Sequence, residues 1–444
     1  MNSVKETIEK YNLIKKEEII GVALSGGSDS MALLHTLHKL SIDMEFEVVA
    51  IHINHKIREE SYDEERFVMR YCKENHIRAY KFHIDCPKLA KDQGKSLETA
   101  ARDARIGVFE SLIKKGIVDK VAIAHHMSDQ AETILLHIFR GAGLSGAKGM
   151  EVSAKDGIFI RPLLETTKEE IQNYLSLNDI PYVEDASNED CTYSRNHIRN
   201  KIMPLILEKW PNAIESLNSF AQACAEDDEF INSSVHLEAS IIDDKLARIP
   251  NTYFLNANAI VSRMIFKVLK KIGVNHDIEK KHIELIKDLA INGKNGSKLT
   301  LPNSLFVYKE YDYVAFINKY KPPVSLSMEL KTGEFELEGI GKLIVKKVRK
   351  FDKENALYID CAKTPKNVMW RLRENGDMFE KFGGGTKKLK DYLIDKKVPA
   401  RLRATLPILA LENEVYAIAG VEISNKVRLD QETKSAYMIE FIQE

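Results

Sequence analysis

The chain has 444 residues, too long for one average domain and suited to two or three. Hydrophobic residues make up 44% and charged residues 30%, with a formal net charge of −1. An ordinary globular protein fits these values, and no global field advertises nucleic acid, though a local basic patch stays open. Five cysteines without a CxxC pair indicate neither a disulfide framework nor a zinc site, so a reduced, cytoplasmic setting is expected. The first residues carry no apolar signal core, and no run approaches the roughly 20 apolar residues that span a bilayer, so no membrane partner is expected.

Along the first 165 residues, short β-branched runs alternate with longer stretches of helical period. The predicted strands are Ile19–Leu24, Val48–Asn54, Arg78–Ile84, Lys120–Ala124 and Ile158–Leu163. The predicted helices are Ser30–Leu40, Glu59–Glu74, Leu97–Lys115, Asp129–Phe139 and Lys168–Leu177. That order predicts an α/β fold with a parallel sheet covered on both faces and a ligand beyond the strands' carboxyl ends. From Ile198 to about Leu289 the pattern is helical with no clear strand. Glycines and short alternating runs return after Ser297. The expected division is a catalytic domain over 1–200, a helical middle domain over 201–295, a β-rich connection over 296–366 and an α/β domain over 367–444.

The first predicted strand runs into Leu24-Ser25-Gly26-Gly27-Ser28-Asp29-Ser30. Glycines let a backbone turn sharply and approach a phosphate closely, and the following helix offers unpaired N–H groups at its positive end. Ser25, Ser28 and Ser30 add hydroxyls. The plainer alternative is a strand–helix turn capped by Ser28 or Asp29. The run matches neither the lysine-bearing GxxxxGK[ST] loop nor GxGxxG. It resembles the SGGxDS loop of the PP-loop ATP pyrophosphatase superfamily. That resemblance implies that Ser25 to Ser30 cradle the pyrophosphate end of ATP and that Asp29 ligates Mg²⁺, a role that suits an ionised carboxylate.

Further motifs follow in order: His52-Ile53-Asn54-His55-Lys56-Ile57-Arg58; Glu98-Thr99-Ala100-Ala101-Arg102-Asp103-Ala104-Arg105; and His125-His126-Met127-Ser128-Asp129-Gln130-Ala131-Glu132-Thr133. Then come Arg140-Gly141-Ala142-Gly143, Arg161-Pro162-Leu163-Leu164, Asp185-Ala186-Ser187-Asn188 and Arg195-Asn196-His197-Ile198-Arg199. Together they resemble the tRNA(Ile)-lysidine synthetase family, densely over the first 200 residues and again at Lys387–Asp391 and Lys397–Pro399. The family usually has two aspartates before the glutamine of the HHxDDQAET motif. Here the first is Ser128, so the acidic role falls to Asp129. The resemblance implies an adenine nucleotide alpha hydrolase-like PP-loop domain, helical and C-terminal domains that contact tRNA, and a cytoplasmic enzyme. It also implies the reaction: free L-lysine joined to C2 of the wobble cytidine of an isoleucine tRNA with a CAU anticodon. Family members are often homodimers, which the sequence does not test.

Roles follow from that reaction. Adenylating the cytosine oxygen spreads negative charge over phosphate oxygens, for which Asp29 with Mg²⁺, the loop backbone and Arg105 or Arg102 are the stabilising groups. Arg102 and Arg105 share a helix face, where pairing with Glu98 is the alternative. The attacking lysine amine is mostly protonated near pH 7, so the site must bind an ammonium and remove a proton. Asp129 and Glu132, three residues apart at a helix start, are the candidates, with His126 as a substrate contact. Simple acid preference at a helix N-terminus is the alternative. His125 reads equally as a loop histidine, and nothing at metal-ligand spacing makes the pair a zinc site. His52 and His55 are placed near ATP by the resemblance, with a structural turn as the alternative.

For tRNA, Arg195, Arg199 and Lys201 form one basic run. Lys381–Arg403 forms another, with eight Lys or Arg against two Asp and glycines at 383–385. Lys387, Lys388 and Lys390 are the expected backbone contacts. A tRNA thiolase of the same superfamily is the nearest rival, disfavoured because Cys191 stands alone. An amidotransferase would need a glutaminase signature that is not found, and a non-catalytic tRNA-binding module would not need the acid and arginine set.

Overall fold

A computed structural model of the chain describes residues 2–57, 60–183, 194–236, 241–243, 245–318, 325–354 and 356–443. Arg58, the Asp185–Asn188 motif and Cys191 lie outside the described residues. Two compact units divide the chain, Met1–Phe230 and Ile231–Glu444.

The first unit begins with α1 (Asn2–Lys10), then β1 (Ile19–Ala23), α2 (Ser28–Met44), β2 (Glu47–Asn54), α3 (Ser61–Glu74) and β3 (Arg78–His83). It continues with α4 (Cys86–Gln93), α5 (Leu97–Lys114), β4 (Lys120–Ala122), α6 (Met127–Phe139), α7 (Leu144–Ala147), β5 (Ser153–Ala154), β6 (Phe159–Ile160) and α8 (Lys168–Leu177). The sheet order is β3-β2-β1-β4-β6-β5, parallel except for β5. On β2, Val48 and Ala50 join one core cluster with Met31, Leu34, Val68 and Ile171, while Val49 and Ile51 join another with Phe109 and Leu112. Both faces are therefore covered, as the unbroken apolar strands required. The chain builds β1-β2-β3 outward and then crosses to β4, so the strand order reverses between β1 and β4. A ligand crevice belongs beyond the carboxyl ends at that point.

After α8 come α9 (Ser194–His197), a π-type turn over Ile198–Ile202, α10 (Met203–Lys209) and α11 (Ala213–Ser233). Ile198 and Met203 pack on Ala131 of α6, which fixes this helical stretch against the sheet domain.

The second unit departs from the helical expectation. Strands β7 (Ile241–Ile242) and β8 (Leu246–Pro250) lie inside the stretch read as strand-free. With β9 (Lys298–Leu301), β10 (Leu305–Lys309) and β11 (Tyr313–Asn318) they form a sheet ordered β7-β8-β11-β10-β9. Helices α12 (Asn258–Lys271) and α13 (Lys280–Asn292) cover it through Val261, Ile265, Ile283 and Ile286 against Ile249, Val307 and Phe316. β8 is five residues long and buries only Ala247 and Ile249 on either side of Arg248. Its partner β11 lies more than 60 residues on, so no local period announces it.

The rest is sheet-rich. Strands β12 (Ser327–Glu329), β13 (Gly333–Leu337), β14 (Gly341–Val348), β15 (Leu357–Asp360), β16 (Met369–Arg371), β17 (Met378–Glu380) and β18 (Thr386–Lys388) precede the last helix, α14 (Leu389–Asp395). β19 (Ile408–Leu411), β20 (Glu414–Ile418), β21 (Glu422–Ile423) and β22 (Ala436–Gln443) follow. One sheet runs β12-β16-β19-β20-β17-β18, with β21 on β20, and another runs β13-β14-β22-β15. The expected mixed α/β character is found.

Candidate active site

The loop after β1 and the loop after β4 meet at the reversal point. Gly26 has φ +96°, a conformation glycine adopts without strain. Ser30, the third residue of α2, shapes the turn. Its hydroxyl donates to the Gly27 carbonyl at 3.0 Å and accepts from the Gly26 and Ser25 N–H groups at 3.2 and 3.3 Å. Ser25 Oγ accepts from Gly27 N–H. Helix α2 starts at Ser28, two residues earlier than expected, behind Gly27 and without a side-chain cap. The capped-turn alternative is therefore not what the chain does. Ser28 and Asp29 stand in the first turn, whose leading N–H groups have no partner within the helix.

Three helix starts converge here. Helix α6 is capped by His126, whose Nδ1 accepts from Ser128 N–H at 3.2 Å while Asp129 accepts from His126 N–H. Ser128 thus contributes its backbone rather than its side chain. Helix α8 is capped by Thr167, and the neighbouring Thr166 carbonyl accepts from Met127 N–H at 3.0 Å, tying the starts of α6 and α8 together. Because His126 Nδ1 is an acceptor, the proton of a neutral ring lies on Nε2. That atom stands 3.5 Å from Asp129 Oδ2 and 3.7 Å from Asp29 Oδ2, between the two loops.

Asp129 and Glu132 are buried together on one face of α6, as their spacing predicted. Their partners are Arg195 and Arg199, which the sequence reading placed on a tRNA surface. Arg199 donates to Glu132 Oε1 at 2.6 Å and Oε2 at 2.9 Å and to Asp129 Oδ1 at 2.7 Å. Arg195 donates to Glu132 Oε2 at 3.1 Å and to Asp129 Oδ1 at 3.2 Å. The two arginines are one helical turn apart, straddling the start of the π-type turn that packing on Ala131 holds in place. Burial works to raise the Asp129 pKa, but His126 and Arg195 outweigh it and hold the carboxyl below its ordinary value. Burial disfavours the Arg199 charge, and Glu132 more than offsets it.

A cavity of about 740 Å³ opens beside the loop, lined by Ser25, Gly27, His52, His55, Glu98 and Arg105 among others. His52 Nδ1–H donates to the Leu24 carbonyl at 2.9 Å, which leaves Nε2 as a buried acceptor without a partner. His55 Nδ1 lies 3.2 Å from Cys86 Sγ. Burial pushes the Cys86 thiol up, so it stays protonated beside the ring. Burial, then Arg105 and His52, push His55 down to about 4, so the ring is neutral at pH 7. Arg105 is open to solvent but walled by protein, which with Arg102 lowers its pKa. Arg105 lines the cavity, as does Glu98. His125 accepts at Nδ1 from Arg161 Nε at 3.2 Å, which gives the Arg161-Pro162 motif a structural task.

The sequence reading missed Lys168. It opens α8, and its Nζ lies 2.5 Å from Asp29 Oδ1 and 3.0 Å from Ser28 Oγ. The signal was the lysine absent from the loop itself. Asp29 remains 29% exposed in its side chain, and no group of three or more metal-ligating side chains occurs among the described residues. One carboxylate suits Mg²⁺, which keeps its waters and binds largely through substrate phosphates. In the second unit, Lys388 and Lys390 are exposed, Lys387 pairs with Asp395, and Arg401 is buried against Glu310 at 2.7 Å. The formal +6 of that run therefore overstates its free charge. No helix among the described residues is long and apolar enough to cross a membrane.

Residues 1–206 match the family described as the PP-loop domain, and residues 368–440 match the TilS substrate C-terminal domain. The tRNA(Ile)-lysidine synthase of Clostridium tetani is 32% identical, over 98% of this chain and 97% of its own. That of Clostridium acetobutylicum is 32% identical over 100% of both chains. Among solved structures, the U34-tRNA thiolase NcsA of Methanococcus maripaludis aligns at 16% identity and TM-score 0.44, covering 51% of this chain and 78% of that one, too slight a likeness to carry an argument. With loop, acidic pair and C-terminal domain all present over the full length, the chain belongs to the tRNA(Ile)-lysidine synthase family.

Proposed function

We propose that this chain uses ATP to join free L-lysine to C2 of the wobble cytidine of a CAU-anticodon isoleucine tRNA, releasing AMP and pyrophosphate. The product, lysidine, shifts decoding from AUG to AUA. The observation that carries this reading is the junction at His126, whose Nε2 stands between Asp29 of the ATP loop and Asp129 of a buried acid–arginine set.

In the first step the cytosine O2 attacks the α-phosphorus and the bond to pyrophosphate breaks. The open N–H groups of α2, the hydroxyl of Ser28 and Arg105 face the charge that develops on the phosphate oxygens. Asp29 would hold Mg²⁺, which when bound neutralises phosphate charge. His52 and His55 flank the nucleotide cavity as neutral rings, one offering a lone pair. In the second step the lysine ε-ammonium gives up a proton to water, the neutral amine attacks C2, the C2–O bond breaks, AMP leaves with that oxygen, and the new C–N nitrogen sheds its second proton to solvent. Asp129, held below its ordinary pKa, is a poor proton acceptor and serves as an anchor for the ammonium. Free lysine also carries an α-carboxylate. Arg195 and Arg199, beside Asp129 and Glu132, give the site both signs of charge for the two ends of that zwitterion. The exposed Lys388 and Lys390, with Lys387, serve the tRNA backbone, and the enzyme works in the cytoplasm.

The test is incubation with ATP, Mg²⁺, labelled lysine and the CAU-anticodon transcript. Label entering RNA in wild type, and lost in Asp29→Ala, is the expected result. Pyrophosphate release without lysine incorporation would replace lysine with another nucleophile, and tRNA binding without turnover would make the chain a binding module.

A further inference from the structure

A lysine in the first turn of a helix sits at the wrong end of the macrodipole, where anions are favoured and cations are not. Lys168 occupies that position on α8, and its ammonium reaches the start of α2, a second positive end. The position is fixed by more than the lysine itself. Helix α8 is clamped to α2 by His35 on Tyr174 at 2.8 Å and by Lys39 on Asn178 at 3.3 Å, and to α6 through Thr166. Ile171 and Leu175 bury the inner face of α8 in the core that holds Met31 and Leu34 of α2. The fold therefore holds a cation between two helix N-termini, beside Glu169 and Glu170 of its own first turn, with Asp29 of the facing helix as its ion-pair partner. The side chain is 37% exposed, so it can swing without unpacking anything.

We propose that Lys168 is the phosphate-gripping lysine that the glycine-rich loop lacks, supplied from 139 residues downstream and transferred from Asp29 to the phosphates of ATP on binding. The inference rests on the reading of Ser25–Ser30 as the ATP loop. Without nucleotide, the ion pair with Asp29 holds the ammonium at the mouth of the loop. The triphosphate presents several acceptor oxygens to a compact ammonium, which binds phosphate as a point charge. Asp29 is then free to face a cation on the same phosphates. The residue thus touches substrate, and its work is in binding the leaving pyrophosphate portion rather than the adenosine.

The experiment is equilibrium dialysis of the full-length protein against α,β-methylene-ATP and, separately, AMP, each with and without Mg²⁺. Wild type, Lys168→Met, Lys168→Gln and Lys168→Arg are compared, with the thermal midpoint of each recorded. Lys168→Met and Lys168→Gln are expected to bind the triphosphate analogue about tenfold or more weakly, the scale of one lost charge-assisted contact. AMP binding should change less than threefold, and Lys168→Arg should recover most of the loss. If wild type binds the analogue and Lys168→Met binds it within twofold, Lys168 is not a phosphate ligand and the loop reading stands. Equal weakening of AMP and of the analogue would make Lys168 a support of the fold and overturn the proposal. Failure of wild type to bind the analogue at all would instead remove the ATP-loop reading on which the inference rests.

Discussion

Replacing Glu132 by glutamine tests the acid–arginine set most directly. The Glu132 side chain is 4% exposed and accepts Arg199 Nε on one oxygen and Arg195 Nε and Arg199 Nη2 on the other. Glutamine keeps one acceptor oxygen and turns an NH₂ toward an arginine donor, so one guanidinium loses its partner and meets a like dipole. Breaking a buried pair by removing one charge costs about 3–5 kcal/mol. The arginine side chains are about a third exposed, so water recovers part of that, and about 2–3 kcal/mol should remain. For a cooperative unit of the size of Met1–Phe230, this is a drop of about 5–10 °C in its unfolding midpoint, readable by scanning calorimetry on the full chain. The same change removes half of the carboxylate pair, so the KM for lysine should rise about tenfold or more while that for ATP stays within about threefold. Arg199→Met should do similar damage, and the double variant should fall short of the summed single effects by at least about 1 kcal/mol. Strict additivity, with the lysine KM unchanged, would refute the view that these residues form one unit.

Other consequences follow from the same geometry. Asp29→Asn should abolish ATP–pyrophosphate exchange while leaving tRNA affinity within about twofold, measured by filter binding; residual exchange above about a tenth of wild type would remove Asp29 from the phosphate site. Gly26→Ala forces a side chain into φ +96° with Val68 at 3.2 Å from the new Cβ, and should cost about 1–2 kcal/mol and lower ATP affinity, checked by denaturant melts with and without nucleotide. For Glu65, burial works to raise the pKa, but hydrogen bonds from Lys81, His83 and Asn54 hold it at about 2. A carboxylate depressed in this way stabilises the fold above about pH 4.5 and loses that contribution as pH falls toward 2. Lys81 and His83 are half exposed, so the contribution is discounted to about 1–2 kcal/mol, and the gap to Glu65→Gln should close over that window. A gap independent of pH between 6 and 3 would contradict it. Reversing Lys387 and Lys388 to Glu should weaken tRNA binding and flatten its salt dependence by about one to two counterions, with no change in ATP binding.

What the sequence disclosed about the site followed from how local its signals are. The glycine loop, the acids at three-residue spacing and the histidines at strand ends each sit within one turn or one helix face, where spacing dictates proximity. Helix α8 was bounded correctly for the same reason, with Thr167 and Glu170 forming a capping box that the residue pattern contains. β8 was not legible, because two buried residues around an arginine make no period and its partner strand is distant in sequence. In sequence Ser30 resembles a phosphate donor, yet its hydroxyl is engaged inside the turn. A hydroxyl's partner is set by the backbone around it, and composition does not report that.

The arginines carry the sharper lesson. Arg195, Arg199 and Lys201 form a run with no acid, and a run of that kind is a fair sign of a solvated or RNA-facing surface. Sequence neighbours are not charge neighbours, however. Asp129 and Glu132, more than 60 residues earlier, present two buried carboxylates whose desolvation only paired cations can offset, and Arg195 and Arg199 fall one turn apart at the matching height. Lys168 is the same case in reverse: a lysine that looks like a solvated first-turn residue is the cation at Asp29. In both places a charged side chain finds its partner across the crevice rather than along its own segment. The useful question for a loop that lacks its usual cation is therefore which helix start, elsewhere in the chain, carries one that its own dipole does not favour.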